Sequence, residues 1–122
     1  MENKADKYNL EKRTQKFGIE IIKFSKKIPK NVINLPLINQ LVKSGTSIGA
    51  NYCEADDAES PMDFRHKIGI CKKEARETMH WMIMINESVP ELKSECKAIW
   101  QEAKELNLIF NSISQKIKKK GF

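Results

Sequence analysis

Three features of this 122-residue chain predict an all-α protein, folded as an antiparallel up-down-up-down four-helix bundle. Apolar residues recur at alternating steps of four and three over most of its length, the period of a helix with one buried face. Helix-start signals precede the second, third and fourth runs, and the connectors between runs are short. Amphipathic helices joined in this way can bury their stripes only by packing antiparallel around a common core. The helices are placed at about 6–28, 35–57, 61–88 and 91–118, within one domain spanning residues 1–122.

In the first run Leu10, Phe17, Ile21, Phe24 and Ile28 alternate, with Thr14 filling the vacant step. Pro29 removes a backbone donor and should stop the helix near Ile28. Asn34 reads as the cap of the second helix, with Pro36 in its first turn and Leu37, Ile38, Leu41, Val42 and Ile48 as its packing face. Ser60, Pro61 and Asp63 announce the third: the serine accepts from the amide three residues on and the Asp63 carboxylate reaches back. Phe64, Ile68, Cys71, Ala75, Thr78, Met82, Ile85 and Val89 then form an unbroken seam. Ser88, Pro90 and Glu91 repeat the start signal, followed by Leu92, Cys96, Ile99, Ala103, Leu106, Phe110, Ile113 and Ile117.

The second helix holds the most unusual stretch, Leu41 to Glu59. Gly45, Gly49 and Cys53 fall four apart and leave one side of the helix nearly without bulk, so another helix can approach its backbone closely. Ser44, Ser47, Asn51 and Glu54 form a polar stripe beside it. A hydrogen-bonded polar layer is the reading of that stripe, with Lys73, Glu74 and Arg76 as partners from the same or a neighbouring chain and Glu77 inside the layer. Trp81, Trp100, Met79, Ile83, Met84, Leu108 and Ile109 lie off the seam and imply a second apolar face. Together with the glycine track, that face points to a homo-oligomer.

Composition excludes several classes. With 40% hydrophobic and 31% charged residues and a mean hydropathy of -0.55, the chain has no apolar run of the ~18 residues a membrane span requires. The polar start MENKADKYNLEKR is unlike a secretory signal, so a cytoplasmic location without membrane partners is expected. Cys53, Cys71 and Cys96 are widely spaced, have no histidine partners, and read as small buried hydrophobes. Glu77 and His80 form the Glu-x-x-His step of di-iron bundles, but the only other histidine, His66, sits on the same helix, so no metal and no other cofactor is assigned. The Ser44, Ser47, Glu54 stripe has no general base at a compatible spacing, so no catalytic residue and no small-molecule substrate is assigned, and the protein reads as non-enzymatic.

Several of these residues fall in a motif. Lys43, Ser44, Ser47, Ile48, Asn51 and Glu54 match the form R/K-S-x-x-S-I-x-x-N-x-x-E, Ser60 and Phe64 open helix three, and a K-E-A-R-E-T-x-x-W run extends from Lys73 through Thr78 to Trp81. On these residues the chain resembles, over roughly 10–118, the four-helix-bundle family named for proteins encoded in intervening sequences of bacterial 23S ribosomal RNA genes. Lys73 and Glu74 stand where one branch of that family has a Gly-Ser pair, which assigns the chain to the other branch. The resemblance implies a ring-shaped homopentamer. It also implies RNA or DNA as a partner, since the accessory proteins of diversity-generating retroelements are similar barrels that work with nucleic acid and a reverse transcriptase.

The charge is compatible with that partner. The net charge is +6, residues 1–30 hold nine Lys and Arg against four acids, and Lys116, Lys118, Lys119 and Lys120 close the chain. An up-down bundle brings Lys4, Lys7, Lys12 and Arg13 to the same end as those terminal lysines, beside the acidic loop of Glu54, Asp56, Asp57 and Glu59. Backbone-directed, salt-dependent nucleic-acid binding at that end is the expectation. The alternative is a homo-oligomeric protein-interaction scaffold with no nucleic-acid role.

Overall fold

The computed structural model describes residues 4–119, with side chains from residue 9 to residue 117. It consists of α1 (Lys4–Ser25), α2 (Asn34–Asp56), α3 (Pro61–Ser88) and α4 (Lys93–Lys119), with a single 3-10 turn, Pro90–Leu92, leading into α4. Neighbouring helices run antiparallel. Thr14 meets Gly49 while Ile21 meets Gly45; Lys67 reaches Glu54, Thr78 reaches Ser44 and Ser88 reaches Asn34. In each series one number climbs as the other falls. On α4, Asn107 Nδ2 donates to the Lys72 carbonyl at 2.8 Å, far from the turn that joins it to α3.

The alternating positions of α1 and α3 form the core. Leu10, Thr14, Phe17, Ile21, Phe24 and Ile28 are all buried, as are Ile68 through Val89 of the α3 seam, while Phe64 is half-buried. On α4 Cys96, Ala103, Leu106, Phe110 and Ile117 are buried. Tyr52 and Ala55 of α2 join them, the Tyr52 ring tilted against Phe110 with centroids 6.0 Å apart. Burying such side chains is the main source of stability in a bundle of this size, at about 1.5–3 kcal/mol for each large residue.

Three boundaries differ from the sequence expectation. α1 ends at Ser25, not near Ile28, because the ring of Pro29 cannot follow a regular turn over the Ser25 carbonyl. The chain tightens instead, with Lys27 and Ile28 amides bonding to Phe24 and Ser25 carbonyls, and Ile28 is buried from outside the helix. The cap of α2 is Asn31, whose Oδ1 accepts from the amides of Ile33 at 3.0 Å and Asn34 at 2.8 Å. Asn34, expected as the cap, is a buried clamp: its Nδ2 donates to the Pro29 carbonyl at 2.9 Å and its Oδ1 accepts from Ser88. That bond removes Ser88 from capping duty, so α4 begins at Lys93 after the 3-10 turn. Ser60 does cap α3, accepting from the Asp63 amide at 3.0 Å behind Pro61.

The four helix-to-helix contacts are unequal. α2 on α3 and α3 on α4 are extensive, α1 on α2 is close, and α1 and α4 approach each other sparsely. The α1–α2 approach depends on glycine. A Cβ at Gly45 would lie 2.7 Å from Ile21 Cγ1 and 3.2 Å from Ile21 Cβ, and one at Gly49 would lie 3.3 Å from the Thr14 carbonyl oxygen. At Gly18 the nearest atom would be 3.7 Å away, an ordinary contact. Overpacking typically costs about 1–3 kcal/mol, whereas alanine in place of an unhindered helical glycine gains up to ~1 kcal/mol. Gly45→Ala is therefore expected to lower unfolding stability by about 1–2 kcal/mol and Gly18→Ala to raise it; equal urea midpoints for the two variants would show that α1 does not seat on this glycine.

Candidate functional site

The polar stripe on α2 splits into three environments. Ser44 is fully inside, its hydroxyl 3.0 Å from that of Thr78 on α3. The Thr78 hydroxyl is also 2.8 Å from the Glu74 carbonyl, so a proton from each hydroxyl completes a chain across the interface. Ser47 and Asn51 are half-buried at its edge, with the Ser47 hydroxyl donating to the Lys43 carbonyl and Asn51 Nδ2 to the Ser47 carbonyl at 2.9 Å. Glu54 is exposed and pairs with Lys67 at 2.8 Å, so its partner is a lysine about two helical turns above the α2–α3 loop and not Lys73 or Arg76.

On α3 the half-buried Glu74 carboxyl is hydrogen-bonded to the carboxyl of Glu77, which is itself exposed, and lies beside the Ser47 hydroxyl. Burial, followed by the hydrogen bond to Glu77, pushes the Glu74 carboxyl above the usual carboxylate range. His80 and Trp81 pack edge to face at 4.8 Å, and Trp81 is half-buried. Among the described residues no group of three His, Cys, Asp or Glu side chains could hold a metal ion. The Cys71 thiol is buried and pushed up to about 12, Cys96 is buried and raised by the same cause, and Cys53 is exposed, contrary to the buried reading.

The glycine track is filled from within the chain. Gly45 and Gly49 face Ile21 and Thr14 of α1, so the bare side of α2 does not supply a contact between copies. The apolar residues outside the seam divide: Ile83 and Leu108 are 53% and 55% exposed, while Trp81, Trp100, Met79, Met84 and Ile109 are half-buried.

The basic residues are rearranged relative to the sequence expectation. Arg13 is committed to α4, with its Nε and Nη2 on the Glu102 carboxylate at 2.7 and 2.8 Å and Nη2 on Glu105 at 2.9 Å. This bidentate pairing holds the guanidinium more firmly protonated than usual and removes it from phosphate binding. Lys27 pairs with Glu95 at 2.9 Å in the same seam. The Arg13–Glu102 bridge edges a groove of about 520 Å³ lined also by Lys12, Lys16, Phe17, Glu20 and Ile99. Lys12 remains exposed, and sequence reasoning missed its neighbours Lys16, Lys23 and Lys26. Among the described residues none of these four has a carboxylate within 4.0 Å, and Lys12, Lys16 and Lys23 recur at steps of four and seven on one side of α1. That spacing was visible in the sequence. Lys116 is exposed near the end of α4; the side chains of Lys4, Lys7, Lys118 and Lys119, and the whole of Lys120, lie outside the described residues.

Antiparallel helices around a hydroxyl-linked core define a small helical-bundle protein. The chain belongs to the 23S rRNA-intervening sequence protein family, whose model matches residues 6–112. It is similar to a crystal structure of a protein of unknown function from the S23 ribosomal protein family of Bacteroides thetaiotaomicron, with a TM-score of 0.81 and 28% identity, covering 89% of this chain and 97% of that one. A comparison with curated proteins returned no match. Among the described residues no helix is long and apolar enough to cross a membrane.

The Glu74 environment has a consequence for pH. The folded chain holds that proton more tightly than the unfolded chain does, so its contribution to stability is present below the ordinary carboxyl range and falls as pH rises through the raised value. Glu74→Gln keeps a hydrogen-bonding group but cannot ionise. Urea midpoints at acid and neutral pH are expected to converge in this variant and its neutral-pH stability to equal or exceed the parent's; an unaltered pH profile would assign the slope to other groups.

Proposed function

We propose that this chain is a cytoplasmic, non-enzymatic, self-assembling helical bundle that binds nucleic acid, RNA in the first instance, by phosphate-directed contacts. The single observation that carries the reading is the stripe of Lys12, Lys16 and Lys23 exposed on α1, with Lys26 exposed just past its end, all unopposed by any described carboxylate in ion-pair range. Lys12 and Lys23 are eleven residues apart, about 16 Å along the helix, enough to follow several phosphates. The net charge of +6 favours the same partner. A stripe of lysines supplies point charges and no bidentate base readout, so binding tracks the backbone and not the sequence.

Self-assembly is supported by apolar surface that this chain leaves uncovered. Ile83 and Leu108 are more than half exposed, and Val32, Ile33 and Leu35 stand 84%, 62% and 47% exposed around the α1–α2 connection. The α1–α2 apolar cluster favours the second reading, a homo-oligomeric scaffold that binds protein. A homopentamer is the form taken up from the family resemblance, and light-scattering mass measures it directly.

Salt separates the two readings. Each neutralised phosphate on a single strand adds about 0.7 to the slope of log affinity against log salt. A Lys12→Gln, Lys16→Gln, Lys23→Gln triple variant is expected to reduce that slope for single-stranded RNA by about 2 while its oligomer mass stays the same. Fluorescence anisotropy over a salt series reads it; an undiminished slope would remove α1 from the interface, and absence of RNA binding by the parent would leave the scaffold.

A further inference from the structure

Helix α4 sorts its charges by side. Its three acids, Glu95, Glu102 and Glu105, are all engaged with α1, through Lys27 and Arg13. Lys93, Lys97, Trp100 and Lys104 fall within about 60° of one another at ~100° per residue, on a different side of the helix. Among the described residues none of these three lysines has a carboxylate within 4.0 Å; Glu87 and Glu91, exposed near the α3–α4 connection, reach none of them.

The lysines border an apolar groove between α3 and α4. Met82, Ile83, Cys96 and Trp100 line a space of about 400 Å³, Lys93 and Lys97 complete its α4 side, and among the described residues no carboxylate lines it. Trp100 is half-buried, and the Lys104 ammonium stands over its ring, 5.4 Å from the centroid. Asn86 lines the α3 side, and its Oδ1 is buried without a hydrogen-bond partner among the described residues. An aromatic ring interleaved with unpaired cations is the arrangement that holds single-stranded nucleic acid, in which bases stack on rings and phosphates meet positive charge.

We propose that the α3–α4 groove is a base-stacking site, in which one nucleobase of a single RNA strand lies against Trp100 while its flanking phosphates meet Lys93, Lys97 and Lys104; this rests on the nucleic-acid reading above and adds a contact to the base. Charge chooses this occupant. An apolar protein surface would cover Trp100 and Ile83 equally well but leave three ammonium groups without counter-charge, whereas a base brings a phosphate on either side. Its edge also carries the N–H groups that Asn86 Oδ1 lacks, within reach once that amide turns outward. In a duplex each base is already stacked and paired, so the groove selects single strands. Every base has a π-face, so stacking leaves the binding indifferent to sequence.

The test compares oligouridine with an abasic oligomer of the same length and ribose-phosphate chain, by fluorescence anisotropy at low salt. The parent is expected to bind oligouridine about tenfold more tightly, and oligouridine alone to quench its tryptophan emission. Trp100→Leu is expected to erase both differences while salt-dependent binding through phosphates persists at constant oligomer mass; Trp100→Phe keeps the affinity difference and loses the quenching. Equal affinity of the parent for the two oligomers, with the α1 triple variant still impaired, would overturn the groove and leave the nucleic-acid reading standing. A base preference that survives Trp100→Leu would do the same. A change of oligomer mass in Trp100→Leu would make the groove a contact between copies and overturn the proposal. RNA indifference in the parent would overturn both this site and the reading it rests on, and tryptophan quenching by an acidic amphipathic peptide would then give the groove to a protein.

Discussion

The position of α1 depends on the absence of two side chains. Gly45 and Gly49 let the helix settle against the α2 backbone, with Ile21 and Thr14 occupying the space that a methyl would take. Among the described residues α1 and α4 approach each other sparsely, so the α2 contact is the closer of the two that hold α1. Arg13 and Lys27 reach α4 carboxylates across this looser seam, where Phe17 and Ile99 line a groove between the two helices. Such pairs are half in water and contribute modestly, so the glycine contact governs.

Within the α2–α3 interface polar groups set the register. The Ser44 and Thr78 hydroxyls meet in a layer otherwise apolar, and a slip of either helix would lose the bond between them while each keeps a carbonyl of its own helix. At the periphery the same interface becomes acidic, with Glu74 and Glu77 sharing a hydrogen bond and Glu54 held by Lys67. Charge is thereby sorted by depth. Acids of α3 and α4 are drawn into hydrogen bonds and bridges between helices, whereas the α1 lysines project outward. The net charge of the chain consequently understates how basic its α1 surface is.

Most of the fold was legible because it rests on local period. The steps from Leu10 to Ile28 named buried residues throughout, and those from Phe64 to Val89 did so after the half-buried Phe64, since the four-three alternation reports which side of a helix faces the core. Capping was less legible. Asn31 and Asn34 are equally good cap residues in isolation, and a tertiary contact with Ser88 decides that Asn34 becomes the clamp. Cys53 was misread because steps of four overrun a turn of 3.6 residues by about 40° each, so the third member of the Gly45 series has rotated into solvent. In the candidate site, the spacing of Ser44, Ser47 and Asn51 identified an interface, but no spacing could reveal that Arg13 finds carboxylates 89 and 92 residues away. Charge counts are additive in sequence; pairing is a property of the fold.

The unequal interfaces also bear on the order in which the molecule comes together. Every extensive contact joins helices adjacent in the chain, α1 with α2, α2 with α3 and α3 with α4, and only the sparse seam closes first to last. During synthesis each helix therefore emerges next to the partner already made and needs no distant segment to bury its stripe. Topologies dominated by local contacts belong to the fast-folding end of the scale. The first-to-last seam closes last, and there the charged side chains of Arg13 and Lys27 reach across to α4 carboxylates beside the apolar groove.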